Sequence, residues 1–75
     1  MIPHINVERT GENIKRLMLG RELSVKDIYT LLGFANPTAV YKWFRGDALP
    51  SIDNLVILAD VFECAIDDIL IIERR

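Results

Sequence analysis

Residues that start and stop helices recur at short intervals along this 75-residue chain. Serine and asparagine side chains accept hydrogen bonds from the first free N–H groups of a helix, and glycine ends a helix because it adopts the left-handed conformation at little cost. Such starts stand at Ser24, Asn36 and Ser51, and such stops at Gly33 and Gly46. Pro37 suits the first position of a helix, where its missing N–H group costs nothing. The chain is therefore expected to form several short helices.

Five helical segments follow from these boundaries and from apolar residues spaced three and four apart. The first is capped by Thr10, has Asn13 at its third position and ends at about Gly20. The second runs from Val25 to Leu32, the third covers residues 37–45, and the fourth runs from Ile52 to about Phe62. The fifth is a short turn that begins at about Ile66. The expected inward faces are Ile14, Leu17 and Met18, then Ile28, Leu31 and Leu32, and in the fourth helix Leu55, Leu58, Ala59 and Phe62. Residues 2–5 and 69–72 could be strands, paired within or between chains, or flanking helix and coil.

The composition, with 51% hydrophobic and 27% charged residues, is that of a soluble globular chain. Its length predicts one domain over residues 1–75. A membrane span needs about 18 to 20 apolar residues in a row, and a signal peptide needs a basic region before a long apolar run. The chain shows neither, so we expect a cytoplasmic protein with no membrane partner. Cys64 is the one cysteine, which excludes an internal disulfide and favours a small core residue.

Charge is distributed unevenly along the chain. Residues 1–50 carry seven Lys or Arg against five Asp or Glu, whereas residues 51–75 carry two against six. A polyanion would therefore meet the first half and be repelled by the second. The acidic second half, about residues 51–75, is left free for another contact.

The third helix has two contrasting faces when its residues are placed at 100° intervals. Val40, Trp43 and Phe44 lie on the inward side, with Ala39 beside them. The outward side carries Thr38, Tyr41, Lys42 and Arg45, with Asn36 at its N-terminal end and no acid among them. Hydroxyl, phenol, ammonium and guanidinium groups hydrogen-bond to base edges and phosphates. Any exposed helix face is polar, however, so this pattern alone does not establish DNA binding.

The order of three longer segments adds a family resemblance. "ENIKRLMLGRELSVKDIYTLLGF", then "KWFRGDALPSIDNLVILADVF", then "DDIL" resemble the lambda-repressor-like, Cro-type (xenobiotic-response-element) helix-turn-helix domain over about residues 10–70. The resemblance implies an all-α, compact five-helix bundle with the helix-turn-helix at about residues 24–46. It also implies that the third helix enters the major groove of double-stranded DNA and that dimers span two half-sites.

Carried over to matching positions, the resemblance implies a division of roles. Lys42 and Arg45 suit phosphate contacts, with Lys26 and either Lys15 or Arg16 adding to the electrostatic attraction. Thr38 and Tyr41 suit base-edge contacts, and Asn36 suits either a helix cap or a base contact.

Three positions depart from the family pattern within the helix-turn-helix. The turn "GFAN" is one residue longer than usual, and Tyr29 replaces a common alanine. Val25 stands where relatives often have a glutamine, whose hydrogen bond to phosphate a valine side chain cannot make. The longer turn and the bulkier side chain of Tyr29 are expected to compensate each other, which shifts the third helix relative to that of other family members.

No enzyme site is expected. His4 has no nucleophile or metal-ligand partner nearby in sequence and is expected at the surface. The acids Asp60, Glu63, Asp67 and Asp68 lack the spacing of a calcium loop and form a solvated face. The chain has no Gly-rich phosphate loop or metal motif. We expect no cofactor, no metal and no small-molecule ligand.

The fourth helix is apolar on more than one face. Ile57 lies almost opposite the expected core stripe, with Val61 nearby. Single exposed apolar residues are ordinary, but these two could also form a homodimer interface together with the chain ends.

The sequence therefore predicts a homodimeric, sequence-specific transcriptional regulator, a repressor of bacterial, phage or mobile-element type. The alternative is a protein-interaction module, such as an antitoxin, that keeps the same fold.

Overall fold

The computed structural model describes residues 1–75 as five helices closed by a small two-stranded sheet. Strand β1 covers Pro3–Ile5 and pairs with β2 at Ile72–Arg74. The helices between them are α1 (Val7–Gly20), α2 (Val25–Leu31), α3 (Thr38–Arg45), α4 (Ile52–Phe62) and α5 (Ile66–Ile69). No helix has the length and apolar character needed to cross a membrane. The expected mainly helical bundle is confirmed, and extended chain ends are part of it.

The start of α1 differs from the sequence expectation. Asn6 is the cap, its side-chain oxygen accepting the N–H of Arg9 at 2.8 Å. Thr10 is fully buried inside the helix, where its hydroxyl accepts the N–H of Ile71 at 2.9 Å. The prediction of a Thr10 cap was wrong because this side chain makes a contact with the far end of the chain.

Asn13 likewise has a long-range contact in place of a role at a helix start. Its side-chain nitrogen donates to the carbonyl oxygens of Asp68 and Ile69, at 2.8 and 2.9 Å. These carbonyls lie at the end of α5, where helix carbonyls lack partners within the helix. The buried amide of Asn13 therefore joins α1 to α5.

The expected starts of α2 and α4 are confirmed. Ser24 and Asp27 cap α2 reciprocally, each side chain accepting the other's backbone N–H. Ser51 caps α4 through the N–H of Asn54. The prediction that Leu31 points inward was wrong. Leu31 is exposed because it is the last residue of α2, and the core side of this helix is filled by Ile28, with Leu32 half-buried beyond it.

All five helices contribute to the core, which includes the expected stripe of α4. Its buried residues are Ile14, Met18, Ile28, Val40, Trp43, Leu55, Leu58, Ala59, Phe62 and Ile69. Helices α1 and α3 approach closely at Gly11, where an added Cβ atom would lie 1.8 Å from the carbonyl oxygen of Trp43. Glycine at this position thus sets the distance between α1 and the helix with the candidate binding face.

The terminal ribbon settles the open question about the chain ends. β1 and β2 pair antiparallel within one chain, with Ile5 opposite Ile72 and His4 opposite Glu73. Ile2 and Arg75 extend the ladder by two mutual backbone hydrogen bonds of 2.7 and 3.0 Å. The ribbon holds the two chain ends together. Glu8, just after the ribbon at the start of α1, packs against Gly46, so the ribbon lies near the end of α3.

Candidate nucleic-acid interface

The two faces of α3 are divided as the helical spacing predicts. Val40 and Trp43 are buried and Ala39 and Phe44 are half-buried. The exposed side chains are Thr38, Tyr41, Lys42 and Arg45. Packing of the inner face against α1 fixes the helix, so the outer face presents its polar groups from a rigid support.

The start of α3 brings Asn36 beside this face. The helix begins at Thr38, one residue later than expected, with Pro37 in the preceding cap position. The Asn36 side-chain oxygen accepts the N–H of Thr38 at 3.0 Å. The expected role of Asn36 as the cap is therefore corrected: its side chain closes a turn just before the cap position. Its amide nitrogen makes no hydrogen bond within the protein and stays available to solvent.

The turn between α2 and α3 is held by an aromatic contact. Phe34 lies edge-on to Trp43, with 6.1 Å between the ring centroids. Its backbone N–H also donates to the carbonyl of Tyr29 at 2.8 Å, while Gly33 takes a φ of 76°. Tyr29 and Val25 are half-buried against the core. The side chains of Tyr29 and Val25 therefore pack against the core and do not join the exposed face of α3. The contact between Phe34 and Trp43 holds the turn against α3.

A shallow depression lies at this turn. It has a volume of about 460 Å³ and is open to solvent. Its lining residues are Gly33, Phe34, Ala35, Asn36, Thr38, Ala39 and Lys42. The depression is continuous with the exposed face of α3, so it adds surface relief to the candidate interface.

Lys42 and Arg45 differ in their surroundings. Lys42 makes no ion pair, whereas the Nε of Arg45 lies 3.0 Å from Oδ2 of Asp47. Asp47 lies just outside the helix, so helical spacing gives no expectation of its contact with Arg45. The basic face of α3 is therefore free of acids within the helix but carries one at its end.

Phe44, expected on the inward face of α3, is half-buried there and also links α1 to the exposed face. The Phe44 ring lies edge-on to Tyr41 with 6.1 Å between centroids, and the Nζ of Lys15 stands 5.8 Å from the Phe44 ring centre. Lys15 is therefore beside α3. Arg16 instead donates to the side-chain oxygen of Asn13, on the side of α1 that contacts α5. Of these two cations, Lys15 is the one placed near the candidate interface.

Lys26 is exposed on α2, next to the capping pair at its start. The backbone N–H and then the hydroxyl of Ser24 hydrogen-bond to the Asp27 carboxylate and lower its pKa, and the neighbouring charge of Lys26 lowers it further. The carboxylate stays ionised and stabilises the first turn of α2.

The outer side of α4 is more apolar than Ile57 and Val61 alone suggest. Ile57 is 39% exposed, while Val61 is half-buried against the core. Ile52 and Val56 are more exposed, at 77% and 54%, and lie one helical turn apart. Their spacing of four residues is the signal that could have found them. A prediction of a dimer surface on this helix therefore extends to Ile52 and Val56.

His4 and Cys64, the remaining residues with reactive side chains, are both half-buried within the fold. His4, expected at the surface, is half-buried because strand alternation turns it toward the body of the protein, and its Nδ1 is buried without a hydrogen bond. Cys64 is also half-buried; burial raises the pKa of its thiol, and the charge of Asp68 raises it further. No group of three or more His, Cys, Asp or Glu side chains is arranged to hold a metal ion.

Comparisons with known proteins agree with this architecture. Among solved structures, the restriction-modification controller protein C.AhdI from Aeromonas hydrophila superposes with a TM-score of 0.72 and 21% identity, over 84% of this chain and 94% of that one. The DNA-binding domain of BldD superposes with a TM-score of 0.70 and 18% identity, over 88% and 94%. Among curated proteins no sequence matches. Residues 14–69 match the helix-turn-helix family of Cro type, and the chain therefore belongs to that family of DNA-binding regulators.

Proposed function

We propose that this protein is a sequence-specific transcriptional repressor that inserts α3 into the major groove of double-stranded DNA. The observation that carries the proposal is the exposed face of Thr38, Tyr41, Lys42 and Arg45 on the second helix of a helix-turn-helix. Family membership and the resemblance in fold to a DNA-binding domain support it. Because its ligand is DNA, the protein is proposed to act in the cytoplasm.

The side chains of this face divide into two roles by their chemistry. Lys42, Arg45, Lys26 and Lys15 are flexible cations that suit phosphate oxygens, and they set affinity without reading sequence. Thr38, Tyr41 and the free amide of Asn36 suit base edges, where donors and acceptors differ between base pairs.

A homodimer would place two copies of α3 on successive half-sites of a palindromic operator. We propose that its interface includes Ile57 and Val61 of α4, extended by the exposed Ile52 and Val56. These side chains give α4 an apolar surface that a monomer leaves in water. The acids of residues 51–75 favour a position for this surface away from the DNA.

A salt titration of duplex binding tests the proposal. Neutralising one phosphate-contacting cation reduces the slope of log K against log salt by about 0.9 for each such contact in duplex DNA. Lys42→Gln should therefore weaken binding to all sequences and flatten the slope. Arg74→Gln makes the same charge change on the outer face of the terminal ribbon, where Arg74 has no ion pair, and should leave the slope nearly unchanged. Equal effects of the two variants would contradict binding through α3.

The alternative is a protein-interaction module or antitoxin that keeps the fold and uses the apolar surface of α4. The high exposure of Ile52 and Val56 is the observation that favours it. Such a protein would bind DNA weakly at low salt, with no difference between Lys42→Gln and Arg74→Gln. The same titration therefore separates the two functions.

A further inference from the structure

Asp47 is the one acid that contacts the basic face of α3. Its Oδ2 accepts a hydrogen bond from Nε of Arg45 at 3.0 Å, and both side chains are more than half exposed. No other ion pair of the protein involves a residue of α3. The Arg45–Asp47 pair is therefore the one ion pair within the candidate interface.

The backbone at the end of α3 fixes the position of Asp47. Gly46 adopts the left-handed conformation, with φ of 77°, and the N–H of Asp47 donates to the carbonyl of Lys42 at 2.9 Å. This arrangement ends the helix and satisfies a terminal carbonyl. It also leaves the Asp47 side chain beside the last helical turn, within reach of the guanidinium.

We propose that Asp47 lowers the affinity of this protein for DNA of any sequence by occupying Arg45 in place of a DNA phosphate. The inference rests on the proposed function, because it concerns how α3 meets DNA. A carboxylate and a phosphate both offer two oxygens to a guanidinium, so they compete for the same donors. When DNA binds, Arg45 exchanges one partner for the other and the freed carboxylate stays close to the phosphates.

The exchange is feasible because the ion pair is exposed. A solvent-exposed pair changes an equilibrium by a factor of about five at most, which a phosphate contact readily offsets. The cost falls on every DNA sequence alike, since phosphate contacts carry no sequence information. A protein that must find one operator among many other sites gains from such weak general binding, provided that base contacts supply the difference.

The test measures binding of the full chain to a non-operator duplex over a range of salt concentrations, for the wild type and Asp47→Asn. We expect about fivefold tighter binding at low salt, the most that an exposed ion pair accounts for. We also expect a steeper salt dependence, because Arg45 then releases a full counterion from the DNA. Thermal unfolding of each variant confirms that it is folded.

The matched control is Asp67→Asn. Asp67 is an exposed acid on α5 that makes no ion pair and lies outside the proposed dimer surface of α4, so this variant changes the net charge equally. We expect it to tighten binding less than Asp47→Asn. Both changes are then repeated in an Arg45→Gln background, where we expect the extra gain of Asp47→Asn to disappear.

Two results would overturn the inference while leaving the proposed function intact. One is an equal gain from Asp47→Asn and Asp67→Asn, which would mean that only net charge matters. The other is a gain from Asp47→Asn that persists without Arg45. If Lys42→Gln also fails to weaken binding relative to Arg74→Gln, the proposed function fails together with the inference.

Discussion

The close approach of α1 and α3 at Gly11 gives the sharpest stability prediction. In Gly11→Ala the new Cβ atom would lie 1.8 Å from the carbonyl oxygen of Trp43 and 2.8 Å from its carbonyl carbon. Contacts under 3.0 Å are essentially never made by real Cβ atoms, so the two helices must separate locally by about 1.2 Å. Both obstructing atoms belong to the backbone, which cannot rotate away as a side chain can.

The change in the free energy of unfolding caused by Gly11→Ala follows from two opposing effects. Alanine is favoured over glycine in a helix by about 1 kcal/mol, whereas overpacking a buried site costs about 1 to 3 kcal/mol, with backbone obstruction at the upper end. A net loss of about 2 kcal/mol in the free energy of unfolding is therefore expected. For a domain of this size that loss lowers the Tm by about 8 to 16 °C.

Chemical or thermal denaturation followed by circular dichroism measures this loss. The control is Gly20→Ala at the other end of α1, where an added Cβ atom meets nothing within 4 Å. That variant should be as stable as the wild type or slightly more stable. If Gly11→Ala were as stable as Gly20→Ala, the close packing of α1 on α3 would be refuted.

Three further predictions concern other contacts. Asn13→Ala removes two hydrogen bonds to buried or half-buried carbonyls and should cost about 1 to 3 kcal/mol in denaturation experiments, and an unchanged stability would disprove the link between α1 and α5. The pKa of Asp27 is held below its usual value of 3.8, so its stabilising contribution is present above that pH and is lost as the pH falls through the lowered pKa. Wild-type stability should thus fall more on acidification than that of Asp27→Asn, and parallel pH profiles would contradict the capping role. Gly46→Ala should destabilise through its positive φ and through a Cβ atom 2.8 Å from the Glu8 Cα, a result that equal unfolding midpoints would exclude.

The helix-turn-helix is the part of the fold that was most predictable from the sequence. Its outer boundaries depend on local chemistry, because the Ser24 cap and the left-handed Gly46 each act within one helical turn. The Ser51 cap of the next helix, α4, is local in the same way. The outward face of α3 follows from helical spacing for the same reason.

Contacts between distant parts of the chain were not predictable. Thr10 is a cap-forming residue type, but its hydroxyl bonds to Ile71, 61 positions away. The terminal ribbon consists of strands of only three residues each, too short to give a clear alternating pattern. Local sequence patterns contain no information about which distant backbone groups will meet.

The candidate interface was predictable as a face but not in its details. Asp47 lies outside the helix and reaches Arg45 only because Gly46 reverses the chain direction. Phe44 lies at the edge of the inward face, and its contacts with Lys15 and Tyr41 depend on how α1 crosses α3. Such contacts require the packing geometry of both helices.

Selection from a library of random duplexes tests whether this protein recognises DNA through α3. The purified wild type and a Lys42→Ala, Arg45→Ala double variant are compared at moderate salt, after both are shown to be folded. The account predicts that the wild type enriches an inverted repeat and that the double variant does not. No enrichment by the folded wild type, or enrichment of the same repeat by the variant, would contradict recognition of DNA through α3.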